Sequence, residues 1–477
     1  MTTADARVDF ADWVSPMLVK ELRQGMRSRV FMLAFFVTQI LMIISVSFSL
    51  GASEAGGDTY RVFDAIFWML VGVPLLFIMP IRAFGGVGTE IRAQTLDLIL
   101  LTHLSAWRVL LGKWTALMAQ TLLLVCAMLP YVALRYFLGG VNLIEDLQTI
   151  LFLIIASATL TAITLSVSPY QSRVLRSLFV IGFIFMLQAV PVVIGVWVSS
   201  SAMLGVAAPG PALNAKIYLA ILFYIPAFIL FALQSGAARI APPAENHAIV
   251  KRLAGFAFIA AAPLLALCGV ELSTVIGYSI LCLTVVAAES LTESVSTVPS
   301  LYRPFLRRGL GGRLMGSILL PGWPFALIYV LFTSALVALI IFAMGAKSPE
   351  PGAATLLALL AIVLLPAALV RLTLPRTTHF LAFYLGLQIF FTLVTLFLQI
   401  LAESGGGNPV FRGVLSLIPH AVFLISATDS FPKELAGTAQ VAMWILCGGS
   451  VALLAALAIR PLAEIRESIR RSDGGAS

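Results

Sequence analysis

The sequence predicts an all-α polytopic membrane protein with about twelve transmembrane helices, and three observations carry that expectation. First, 60% of its 477 residues are hydrophobic and only 11% are charged, whereas ordinary soluble domains carry about 25% charged residues. Mean hydropathy, at +1.03, points the same way. Second, apolar runs long enough for the roughly 30 Å of bilayer hydrocarbon recur along the whole chain. Third, Lys and Arg concentrate in alternate loops. With both termini cytoplasmic, all but six of the 30 Lys and Arg fall inside, leaving Arg61, Arg135, Lys216, Lys347, Arg412 and Lys433 outside. That bias supports an inward orientation of the termini and an even number of spans in the cell's inner (plasma) membrane.

Residues 1–29 form a polar N-terminal segment with Arg7, Lys20, Arg23, Arg27 and Arg29. Ser15-Pro16 is a helix start, because Pro suits the first helical position. Leu18, Leu22 and Met26 then share one stripe, while Lys20, Arg23, Gln24 and Arg27 fall elsewhere. This reads as a basic helix in the inner headgroup layer; a positive flank that merely orients the first span explains the charge equally well. The N-terminus does not read as a cleavable signal, since the first apolar run starts near Val30, has full span length and lacks a small-residue cleavage site.

A six-span membrane domain follows at 30–234, with spans near 30–50, 62–80, 110–134, 148–167, 176–198 and 216–234. Its first cytoplasmic loop, 82–113, holds the longest amphipathic interruption. Gly85, Gly86 and Gly88 loosen the exit from the second span; Thr89 is the expected N-cap and Glu90 favours the positive end of the helix dipole. Leu96, Leu98, Ile99 and Leu100 cluster against a polar side of Glu90, Arg92, Gln94 and Asp97, and the pattern breaks at Thr102-His103. Ser105 then caps a second helix carrying Trp107, Arg108 and Lys113 into the third span. A helix, a break and a second helix make a protruding knuckle.

The order Glu90, Thr95-Leu96, Leu100-Leu101-Thr102, Leu104-Ser105 and Leu111-Gly112-Lys113 resembles the first cytoplasmic loop of ABC transporter type-2 permeases. Upstream, Pro16-Met17-Leu18-Val19-Lys20-Glu21-Leu22-Arg23 resembles the interfacial helix of that family. Two places depart from the pattern: Gln94 stands where the family often has Gly, and His103 where it often has Pro. The resemblance covers the first half of the chain. It implies a noncatalytic permease subunit of an ATP-driven exporter, whose loop docks on a separate soluble ATPase carrying the P-loop. Leu100, Leu101, Leu104 and Trp107 would be the buried anchor, with Glu90, Arg92 and Arg108 as polar rim. The family pairs two membrane halves, so the resemblance implies a homodimer or second permease, or a second half supplied by this chain itself.

A cytoplasmic linker at 235–253, stiffened by Pro242-Pro243, leads to a second membrane domain at 254–459. Its spans lie near 254–270, 273–288, 318–344, 354–371, 380–401 and 439–459, the first two around Glu271 forming either a tight hairpin or a membrane-dipping element. The loop 289–316 occupies the place that 82–113 holds in the first set, with Arg303, Arg307, Arg308 and Arg313, but lacks its signature; any repeat is structural and degenerate. Residues 402–438 are too long for a simple turn. The apolar stretch there, broken by Pro419-His420, is either a re-entrant element, as the resemblance implies, or a surface helix. A basic tail, 460–477, ends the sequence.

Several chemistries are excluded. Gly112-Lys113 is followed by Trp114 and preceded by Trp107 where a P-loop needs Gly, so no phosphate cradle forms. No paired metal ligands or nucleophile elbow appear and no cofactor is expected; if ATP drives this protein, as the resemblance implies, another chain hydrolyses it. The four cysteines lie in apolar runs without CxxC spacing and read as packing residues. A net charge of +8 is what cytoplasmic loops facing an anionic leaflet need, so the bilayer, not nucleic acid, is the expected partner. The four histidines read as interfacial. Two rival functions remain: a membrane-embedded enzyme such as a lipid-linked glycosyltransferase, with Glu54, Asp58, Glu145 and Asp146 as its candidate acids, and a secondary transporter. The latter is disfavoured because no Asp, Glu, Lys or Arg lies near a span centre.

Overall fold

Ten helices among the described residues are long and apolar enough to cross a membrane, and no strand occurs among them. The computed structural model describes residues 16–53, 66–95, 105–138, 143–170, 177, 215–270, 272–343, 349–375, 377, 379–404, 409–427 and 433–474. The expected span at 176–198, Ser177 apart, and Glu271 therefore lie outside the described residues. The chain divides into two compact units, Met1–Ala241 and Pro242–Ser477. The connection is shorter than the sequence suggests, because the flanking helices run on to Ile240 and resume at Ala248.

In the first unit, α1 (Pro16–Met26) precedes the spans α2 (Arg29–Ser53) and α3 (66–84), then the single turn α4 (Gly88–Arg92). Three spans follow: α5 (Ala106–Leu138), α6 (Leu143–Val167) and α7 (Ala215–Ile240). At 33 residues, α5 is about 50 Å long and exceeds the hydrocarbon thickness. Within α3, Pro74–Ile78 adopts the wider π pattern, in which Met79 N–H reaches back to Pro74 O. Pro80, next in line, has no N–H to give Leu75, and the Leu75 carbonyl accepts from Ser157 Oγ of α6 at 2.7 Å instead. One contiguous core, including Met42, Phe67, Leu75, Leu110, Leu124, Leu165 and Leu233, joins these helices.

The second unit opens with two antiparallel helices, α8 (Ala248–Leu267) and α9 (Leu272–Leu291); α8 is long and apolar enough to cross a membrane, whereas the apolar part of α9, Val275–Leu291, is shorter. Ser279 Oγ donates to Phe258 O at 2.8 Å near the middle of the pair. At the open end lies a buried charge cluster. Lys251 Nζ reaches Glu289 Oε1 at 2.9 Å and Glu293 Oε1 at 2.5 Å, and Arg252 Nη2 reaches Glu293 Oε2 at 3.1 Å. The short helices α10 (Arg303–Leu306) and α11 (Gly309–Leu319) follow, then the spans α12 (Trp323–Ala343), α13 (Pro349–Thr373) and α14 (Phe380–Ser404).

Next come two short helices, α15 (Pro409–Leu415) and α16 (Pro419–Ala427), and the 42-residue α17 (Lys433–Gly474). The basic tail is thus not a separate segment but the end of α17: Ile465 packs with Leu301, Tyr302 and Leu320, and Arg303 Nη2 donates to Ser472 O at 3.3 Å.

His420 overturns the interfacial reading of that residue. Its Nε2 meets Gln388 Oε1 at 2.8 Å, and Gln388 Nε2 donates to Ile362 O at 2.7 Å, close to the middle of the 25-residue α13. The ring stacks on Phe391 at 5.7 Å. Ala421 and Val422 beside it are fully buried. The start of α16 is therefore packed level with the middle of α13. Pro419 breaks the helix and so frees the turn that lets the chain come back.

Burial alone would raise the Glu293 carboxyl, but Lys251 and Arg252 beside it outweigh that and hold it down to about 2. A group held below its unfolded value adds stability above about pH 4.5 that is lost as pH falls towards 2. Thermal unfolding should therefore be flat above that range and fall on acidification. Glu293→Gln should lower stability by about 3–5 kcal/mol at neutral pH, because Lys251 and Arg252 lose their buried partner, and should flatten the acid limb.

Candidate functional site

Four residues singled out in sequence meet at one point. Lys113 Nζ donates to Glu21 Oε1 of α1 at 3.0 Å and to Glu90 Oε1 of α4 at 2.7 Å. The lysine side chain is 5% exposed and the two carboxylates 17% and 16%. A Cβ at Gly112 would press on Met17 Cγ at 3.1 Å, so glycine is what lets α1 lie against α5. The Gly112-Lys113 pair is a seat for α1: the first residue permits the approach and the second supplies the charge that holds it.

Along α1, Met17 is buried, Leu18 and Leu22 are half-buried, and Lys20, Arg23, Gln24 and Arg27 are exposed. The stripe that reads as lipid-facing is thus partly a helix–helix contact. Arg82 of α3 fastens the far end. Its Nη1 donates to Gln120 Oε1 at 2.5 Å, and its Nη2 to Gly25 O at 3.3 Å and Ser28 Oγ at 3.2 Å. A cation there meets the carbonyls at the negative end of α1. Phe31 lies under the same guanidinium, 5.3 Å from its ring centroid.

The start of α4 differs from expectation. The helix begins at Gly88, two residues earlier than a Thr89 cap requires, and Thr89 Oγ1 donates back to Gly85 O. The cap comes from a distant residue: Ser168 Oγ, just past the end of α6, accepts from Val87 N at 2.9 Å and Gly88 N at 3.0 Å. The end of α4 is also earlier than the apolar pattern implies. Gln94 takes φ +54°, Gln94 N–H donates to Ile91 O at 3.1 Å and Thr95 N–H to Glu90 O at 3.0 Å. That is the left-handed stop in which glycine is preferred. The departure at position 94 therefore falls on a backbone conformation that would favour Gly.

Leu96 and three of the four residues of the expected docking anchor, Leu100, Leu101 and Leu104, lie outside the described residues. The second helix starts at Ala106, immediately after Ser105, as expected. Arg92, Thr95 and Arg108 are exposed, whereas Trp107 is half-buried against the core of its own unit. Glu90, expected on the rim, spends one oxygen on Lys113. Ser168 carries no sequence signal; Arg82 reads only as a loop cation and Gln120 only as a span glutamine suited to an interhelical hydrogen bond.

The second unit contains a cavity of about 350 Å³ between α9, α12, α13 and α17, lined by Leu283, Thr284, Val330, Thr333, Leu360 and Trp444 among others. The Thr284 and Thr333 hydroxyls donate to Ile280 O and Tyr329 O of their own helices. The wall they present is hydrocarbon.

Lys113→Met should lower stability by about 3–5 kcal/mol, since two carboxylates keep their burial and lose their cation. In a double-mutant cycle by thermal unfolding, Glu21→Gln should cost far less in the Lys113→Met background than alone. Gln94→Gly should be neutral or stabilising by up to about 1 kcal/mol, and Gln94→Val destabilising, as the left-handed backbone requires.

No family model, no curated protein and no solved structure matches this chain.

Proposed function

We propose that this multi-pass membrane protein is the permease subunit of an ATP-driven exporter of the type-2 ABC kind. A separate ATPase drives it by docking on the loop between α4 and α5. The observation that carries this reading is the Glu21–Lys113–Glu90 cluster. It joins the resembling interfacial helix, the resembling loop and the resembling Leu-Gly-Lys segment into one body. The start of α16, packed level with the middle of α13 before the last span, supports the same reading.

Both ends of the loop are fixed, at α4 by Ser168 and Lys113 and at α5 by its own helix. Force applied at Leu100, Leu101 and Leu104 would then move α1, α3 and α5 together as a rigid group. Arg92, Thr95, Ser105 and Arg108 flank the docking segment, while Glu90 and Lys113 hold it from behind. The hydrocarbon-walled cavity of the second unit favours an apolar or amphipathic cargo.

Secondary transport gains one observation, His420, as an ionisable group at mid-depth. Proteoliposomes separate the two: a proton gradient alone drives the rival, whereas export needs the ATPase and ATP.

Co-purification with the P-loop ATPase should fall at least about tenfold in Leu101→Asp and in Leu104→Asp, as expected when a charge enters a buried anchor. Arg92→Gln, on the rim, should change it little. Undiminished association of both aspartate variants would remove the docking role.

A further inference from the structure

From Ser294 to Gly322 the chain carries Arg303, Arg307, Arg308 and Arg313 and no acidic residue. Arg307, Arg308 and Arg313 are exposed. So are large apolar side chains. Leu310 and Leu314 are 78% and 69% exposed, and Leu306 and Met315 are exposed beside them. On α11, Leu310 and Leu314 lie opposite the buried Gly312, Gly316 and Leu319, so the helix turns an apolar ridge outward between cations.

The depth of this ridge is fixed by the charge cluster. Arg252 Nη1 donates to Ile318 O at 2.7 Å and Nη2 to Gly322 O at 3.3 Å, while Glu293 Oε2 accepts from Gly322 N at 3.1 Å. Arg252 stands just before the apolar run of α8, and Glu293 just after the end of α9. The C-terminal end of α11 is therefore pinned beside the charged end of α8, where that span's apolar run begins. Leu320 is extended and Gly322 takes φ +110°, which separates α11 from the start of α12. At that level, outward leucines meet the acyl boundary and arginines meet phosphates.

We propose that α10 and α11 form a second interfacial element, which inserts Leu310 and Leu314 into the inner leaflet and binds anionic phospholipid through Arg307, Arg308 and Arg313. A soluble acidic partner would satisfy the arginines but not a leucine ridge held at the membrane boundary. The inference rests on the chain being a membrane protein and does not require the export reading.

The full chain, extracted from vesicles of mixed phosphatidylcholine and phosphatidylglycerol, should retain phosphatidylglycerol preferentially by native mass spectrometry. Each arginine is worth about fivefold in such a preference. The Arg307→Gln/Arg308→Gln/Arg313→Gln variant should therefore lose at least about tenfold of it, and the corresponding triple Lys variant should keep it. An unchanged preference in the glutamine variant would overturn the proposal. So would a Leu314→p-benzoylphenylalanine variant that, irradiated in native membranes, crosslinks to a soluble chain instead of to lipid. That second outcome would make α11 a contact for a soluble partner; undiminished ATPase association of the Leu101→Asp and Leu104→Asp variants would count against the docking reading and leave lipid binding standing.

Discussion

One buried lysine between two half-buried carboxylates organises the first half of this protein. Lys113 is almost wholly enclosed, yet it belongs to a helix that must enter the bilayer. Such a charge is tolerated because Glu21 and Glu90 come to it, and the exchange is favourable only with close geometry on both sides. Removing any one member exposes the others to an uncompensated cost. The cluster therefore behaves less as a stabilising contact than as a condition: α1, the α3–α4 corner and α5 are correctly placed together or not at all. Arg82 repeats the logic at the far end of α1, where one guanidinium serves Gln120, Gly25 and Ser28.

The second unit solves the same problem with more charges. Lys251, Arg252, Glu289 and Glu293 close the open end of the α8–α9 hairpin, and Arg252 and Glu293 also hold the backbone at Ile318 and Gly322. The segments after α3 in the first unit and after α9 in the second are thus each anchored by buried ions, although their sequences share no signature. That is the level at which the two halves are alike.

What the sequence made legible follows from the range of the forces involved. Span positions and the helix starts at Pro16 and Ala106 depend on hydropathy and local backbone chemistry, and they were readable. Gly112 and Lys113 were readable as a pair but not as a seat for α1, because Glu21 lies 92 residues away. The cap on α4 was misassigned to Thr89 since the true acceptor, Ser168, is supplied from another span. His420 looked interfacial because a broken apolar stretch gives no sign of depth; only its contact with Gln388, itself bonded to Ile362, sets the level. The end of α4 at Gln94 escaped notice because Gln gives no turn signal, even though the backbone there takes the form that glycine prefers.

A motor can push on this protein only if the corner between α4 and α5 faces the cytoplasm. Ala93 is exposed at that corner. With Cys126, Cys268, Cys282 and Cys447 replaced, an Ala93→Cys variant can be treated with a membrane-impermeant maleimide on either side of the bilayer. Labelling in inside-out vesicles but not in intact cells is the predicted result; labelling of intact cells from outside would contradict it.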